Sequence, residues 1–201
     1  MMSDIQQKFM EKFRSHWIKI KFYTNKPDEK NFKEIKNVRF CEATKIAINH
    51  PVILDANSIN CPGALFAFGW QDKSIFYQKC LQKSKLNKQA LDAMITQLPR
   101  LNGEYKYIGL NTKDEPDVLM SYILPEDAMK LLYLYHNKQA ENLDISLCSM
   151  MSICGGIAVN TFIKNEIGFS FGCAESREFA RIGSERLVVG LPKKHFDLVS
   201  Y

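Results

Sequence analysis

The sequence predicts an α/β or mixed α+β fold, a single compact domain over residues 1–201. Three observations predict it. Strand-like and helix-like stretches alternate along nearly the whole chain. No low-complexity linker divides it, and 201 residues suit one core of ordinary size. Two stretches, 38–69 and 151–183, echo one another, as duplicated halves related by a pseudo-twofold axis would.

Each element has its local reason. Ser3-Asp4 caps a helix whose apolar residues Ile5, Phe9 and Phe13 recur four apart. "HWIKIKFYT" alternates, with Ile18, Ile20 and Phe22 on one face and Lys19 and Lys21 on the other, which predicts a half-buried strand. After a polar loop around Pro27, "VRFCEATKIAI" reads as a helix and "HPVILDANSI" as a strand and turn. Pro62 lacks an N–H and suits the first position of a helix, which puts Cys61 at its N-terminus. Residues 72–98 read as charged helix in two pieces, and "YKYIGLN" and "DVLMSYI" as strands. "PEDAMKLLYLYHNKQ" is a helix by its leading proline, its early acids and its late Lys and His. An apolar, glycine-interrupted helix is expected at Cys154–Thr161. The strand "IGFSFGC", the turn and helix "AESREFARIG", the strand "RLVVGLP" and a closing turn "KKHFDLVSY" complete the chain.

Composition narrows the function. The chain is 46% hydrophobic and 24% charged, with a formal net charge of +5. Lysines and acids are interspersed, so the excess reads as a solvated surface rather than a nucleic-acid interface. No stretch approaches the ~18 apolar residues of a membrane span, and charges interrupt the N-terminus where a signal peptide needs an apolar core. A cytoplasmic protein is expected, its six cysteines (41, 61, 80, 148, 154 and 173) reduced thiols.

The echo carries the chemistry. In "CEATKIAINHPVILDANSINCPGALFAFG" a cysteine opens a helix-like stretch, a strand-like one follows, and a second cysteine comes after twenty residues. "CGGIAVNTFIKNEIGFSFGCAESREFARIG" repeats that order with a separation of nineteen. Both second cysteines lead into a Phe-Ala pair and a glycine. Paired halves would bring Cys41, Cys61, Cys154 and Cys173 together near their axis. Soft thiolates suit iron–sulfur clusters, zinc or Cu(I). The close cysteine pairs typical of four-cysteine zinc sites are missing, and so are ferredoxin-type runs. Dispersed cysteines remain compatible with a [4Fe–4S] cluster between half-domains, with Cys61, Cys154 and Cys173 as metal ligands and Cys41 and Arg177 as further cofactor contacts. Arg177 has an ordinary surface ion pair as its plainer role.

Plainer readings apply to the cysteines as well, since free cysteine is among the most buried residue types. Cys80, a helical turn after Phe76, and Cys148, before Met150-Met151, read as packing residues. A thiol enzyme using Cys61 or Cys173, or a cofactor-free small-molecule-binding protein, is the alternative. It would draw a base from His16, His50, His136 or His195. An interaction subunit docking through its N-terminal helix is a third reading.

The segments "RFCEATKIA", "NCPGALFAFG", "EPDVLMSYILPEDAMKLL", "CGGIAV", "FSFGCAESRE" and "ERLVVGLP", in that order, cover most of residues 39–192. Together they resemble the family catalogued as domain of unknown function 169, found in archaea and anaerobic bacteria. After Cys173 this chain has "AES" where the family carries a glycine-rich turn. The resemblance implies an intracellular protein with Cys61, Cys154 and Cys173 on recurrent motifs, and an anaerobic setting suits an oxygen-sensitive cluster. The function expected is that of an iron–sulfur protein serving redox, sulfur transfer or cofactor assembly, with a redox or assembly protein as partner.

Overall fold

The computed structural model describes residues 16–28, 32–83 and 86–199. The expected helix at Ile5, Phe9 and Phe13 lies outside them. In chain order the elements are β1 (Ile18–Tyr23), β2 (Lys33–Glu34), α1 (Phe40–Ala47), β3 (Val52–Leu54), α2 (Pro62–Ala67), α3 (Lys73–Lys83), α4 (Lys88–Gln97), β4 (Tyr107–Leu110), β5 (Val118–Ile123) and α5 (Pro125–Gln139). A π-helical segment (Cys154–Val159), α6 (Asn160–Lys164), β6 (Gly168–Ser170), α7 (Ala174–Phe179), β7 (Leu187–Pro192) and a 3₁₀ turn (Lys193–Leu198) follow.

The fold is mixed α+β. The seven strands form one sheet in the order β2-β3-β4-β1-β5-β7-β6, and every pairing except β2–β3 is antiparallel. The α/β alternative, a parallel sheet wound with crossover helices, does not occur. Helices and strands alternate in sequence, but β4 returns to lie between β3 and β1, and β7 between β5 and β6. The order has a symmetry. Exchanging β1 with β5, β4 with β7 and β3 with β6 turns β3-β4-β1-β5-β7-β6 into its own reverse.

Alternation along the strands sorts the core into two layers. Ile18, Ile20 and Phe22 of β1, Val118, Met120 and Tyr122 of β5, and Val188 of β7 pack against α1–α4 and the π-helical segment. Leu119, Ile123, Val189 and Leu191 point the other way, onto Ala128, Leu131 and Tyr135 of α5 and Phe196 of the 3₁₀ turn. Strand β5 is therefore buried along its whole length. All the cysteine-bearing elements sit on the first face. No helix among the described residues is long and apolar enough to cross a membrane.

Candidate functional site

The two halves place their second cysteines alike. Cys61 and Cys173 are the N-cap residues of α2 and α7, helices of six residues each, and both hold extended backbone at φ −93° and −85°. Pro62 occupies the first turn of α2, as expected. Cys41 is the second residue of α1, and Cys154 opens the π-helical segment.

These four cysteines line one cavity of about 340 Å³. Cys80, on the core-facing side of α3, lines it as well, although its helical position predicted packing alone. Cys148 does not line it. All six thiols are free of disulfides. Cys41 and Cys154 are buried, while Cys61 and Cys173 are half-buried.

Burial dominates the electrostatics. It pushes Cys41 up to about 12, with the nearby Cys61 and Cys173 adding to the shift. Cys154 rises well above the usual thiol range, first by burial and then by Cys61, Cys173 and Cys41, so the other three thiols lie near it. Cys61 is raised by burial against the pull of backbone N–H groups of Ala64 and Gly63. Cys80 is raised to about 11, again by burial. Backbone N–H groups also reach Cys41 from Glu42 and Cys154 from Gly155. These N–H groups oppose burial at the three thiols without reversing it.

A polar chain crosses from one half to the other at the rim. The Cys61 thiol lies 3.8 Å from Glu175 Oε2, and Arg39 Nη1 pairs with the same oxygen at 3.2 Å. The Arg39 guanidinium stacks over Phe179 at 3.8 Å. Arg39 and Glu175 each sit in a segment that stands out for its cysteine, but 136 positions separate them and nothing in the sequence pairs them.

Met151 answers for two of the glycines beside the cysteines. It is a buried, non-glycine residue at φ 52°, and its carbonyl accepts from Gly155 N and Gly156 N at 2.8 and 2.9 Å. Its side chain fills space that a Cβ at Gly63 or at Gly155 would take, at 2.8 Å from Cγ and 2.9 Å from Cε respectively. One glycine comes from each half. The widened π-helical turn that starts at Cys154, where a regular helix was expected, belongs to this arrangement.

Arg177 is not a lining residue. Its guanidinium donates to the carbonyls of Gly183 and Arg186 at 2.8 and 3.1 Å, closing its own turn. No histidine lines the cavity. His16, His50 and His136 are exposed, and His195 is buried on the opposite face against Tyr135. Among the described residues no three His, Cys, Asp or Glu side chains close on a single ion.

The model of the family DUF169, described as "Uncharacterised ArCR", matches residues 11–200, so the chain belongs to that family. Neither a curated protein nor a solved structure matches the chain.

Proposed function

We propose that this DUF169 protein holds an iron–sulfur cluster, of the [4Fe–4S] type, between its two halves. Cys61, Cys154 and Cys173 would be its ligands, with Cys41 a further contact beside them. One observation carries the reading: four cysteines from four separate elements line one cavity, on the face where the halves meet. The donor set fits. Soft thiolates suit iron–sulfur clusters, and Met150 and Met151 add thioethers to the wall. Ligands to a cluster bind different irons, so their sulfurs stand further apart than the donors of a single ion.

The raised thiols fit as well. Without a cation they stay protonated at neutral pH; iron would draw off the protons and offset the charge. Bound there, a cluster would supply one-electron transfer or an iron open to substrate. The chain's own part is to exclude water with Phe40, Phe76 and Ile153, to direct backbone N–H groups at the sulfurs, and to hold Glu175 and Arg39 beside Cys61. Arg177 has no part in it, since its donors serve Gly183 and Arg186. A cytoplasmic setting and a redox or cofactor-assembly partner complete the proposal.

The test is anaerobic purification from the native cell. The protein should carry iron and acid-labile sulfide, with broad visible absorption that bleaches in air. Serine at Cys61, Cys154 or Cys173 should abolish it, and alanine at Cys80 should not. Colourless protein free of iron would hand the cavity to the second reading, a cofactor-free small-molecule site, which its apolar lining favours. A thiol nucleophile at Cys61 has less support, because burial raises that thiol where catalysis needs it lowered.

A further inference from the structure

Helix α3 turns an unusual stripe toward the cavity. Phe76, Lys79, Cys80 and Lys83 lie at i, i+3, i+4 and i+7, the spacing of one helix face, and all four line the cavity. A stripe that packs on a core is ordinarily apolar throughout. Here Phe76 and Cys80 are 2% and 6% exposed, yet the two positions between and after them are lysines. Among the described residues no carboxylate lies within ion-pair distance of either ammonium group. Among the described residues Lys79 Nζ donates to the Gln71 amide oxygen, at 3.3 Å. The one acid in the lining, Glu175, is already paired with Arg39. The cavity thus combines an apolar lining of Phe76, Met150 and Ile153 with two lysines that no described acid balances, and Lys83 and Leu86 are among its solvent-exposed lining residues.

We infer that this cavity binds a small amphiphilic anion, a carboxylate or phosphate on an apolar body, with its head at Lys79 and Lys83 and its body against Phe76, Met150 and Ile153. The inference names the substrate class for the cavity of the proposed cluster. It rests on that reading for its location only, and needs no iron.

The experiment is calorimetric titration of the full chain, with and without iron, using octanoate, octyl phosphate, octanol and acetate. Octanoate and octyl phosphate should bind at least about tenfold more tightly than octanol or acetate, as charge and apolar burial together require. The double variant K79Q/K83Q should weaken octanoate about tenfold and leave octanol, the melting temperature and the iron content unchanged. Octanoate should also slow maleimide labelling of Cys80, mapped by peptide mass, because that thiol lies between the two lysines. Octanol binding as tightly as octanoate, K79Q/K83Q binding octanoate like the parent protein, or Cys80 left unprotected would each overturn the inference. Iron content is read separately on protein purified anaerobically from the native cell, so native protein that is free of iron yet binds octanoate sinks the cluster alone, and iron-loaded protein indifferent to octanoate sinks the anion alone.

Discussion

Replacing Gly63 by alanine should destabilise the protein, although alanine is the better helix former. The structure sets two opposing effects. Gly63 lies in the first turn of α2, with no positive φ, so alanine would stabilise it by about 0.5–1 kcal/mol through backbone propensity. The added Cβ would stand 2.8 Å from Met151 Cγ, against an ordinary carbon contact of about 3.5–4 Å. Met151 has little room to retreat. Gly155 is packed against its other side, its own backbone is left-handed, and it is only 5% exposed. Overpacking of this kind costs about 1–3 kcal/mol, so the net loss should be at most about 2.5 kcal/mol and about 1 kcal/mol at mid-range. Met151→Ala alone should cost about 2–5 kcal/mol by leaving a cavity. In the double variant the new methyl meets empty space, and the coupling between the two changes should be roughly 1–2 kcal/mol. Urea unfolding of the four iron-free proteins under anaerobic conditions measures this. A Gly63→Ala protein as stable as its parent, or effects that add within about 0.5 kcal/mol, would refute the wedge. Iron loading is not expected to fall in parallel, because the same Cβ is an ordinary 3.8 Å from Cys61 Sγ.

Two further outcomes follow from the cysteines and from Arg177. Folding holds Cys41, Cys61, Cys80 and Cys154 as neutral thiols, whereas the unfolded chain ionises them above about pH 8.5. Their contribution to stability is therefore complete below that pH and is lost as pH rises toward the folded values of about 11 and 12 at Cys80 and Cys41. The slope should approach about 1.4 kcal/mol per pH unit for each thiol, visible as a falling urea midpoint between pH 8 and 10.5 and shallower in Cys41→Ser; an identical slope in that variant would contradict the assignment. Arg177→Gln should cost about 1–2 kcal/mol, by releasing the Gly183 and Arg186 carbonyls from a charged donor, and leave iron content unchanged. Lost iron with unaltered melting would return Arg177 to the cluster.

The local elements were readable because their causes are local. Pro125, the acids after it and the late Lys and His mark a helix, and it spans Pro125–Gln139. The break between α3 and α4 falls at Asn87, whose side chain caps the second helix by accepting from Ala90 N. Cys61 caps α2 because Pro62 can only begin a helix. The sheet was not readable, since strand pairing is non-local: nothing in "YKYIGLN" says that β4 will lie between β1 and β3 rather than beside β5. The cavity shares that difficulty. The spacing from Phe76 turns Cys80 inward, but only the arrival of the second half turns that interior into a lined space. Arg177 shows the reverse error. Its nearness in sequence to Cys173 suggested a shared target, while its side chain folds back onto its own turn.

The topology gives a reason for placing a ligand where these cysteines meet. In the sheet the two halves join through β1 and β5, whose register covers three residue pairs, Ile18 to Ile20 against Met120 to Val118. Above that junction the halves meet through one apolar core, with Phe22 against Phe162 and Thr44 bonded to Tyr122, through Met151 between Gly63 and Gly155 and the Arg39–Glu175 pair, and around a sulfur-lined space. An apolar core would close this seam with well-packed Leu or Ile, which bury more area than cysteine and leave no void. Cysteines serve the seam poorly as packing and well as donors. A group bound to them touches both halves at once, and because it binds only the folded arrangement, its affinity adds directly to the stability of the junction. The space is then the cost of a site, and a group bound there would add its affinity to a junction that Phe22 and Phe162 already pack.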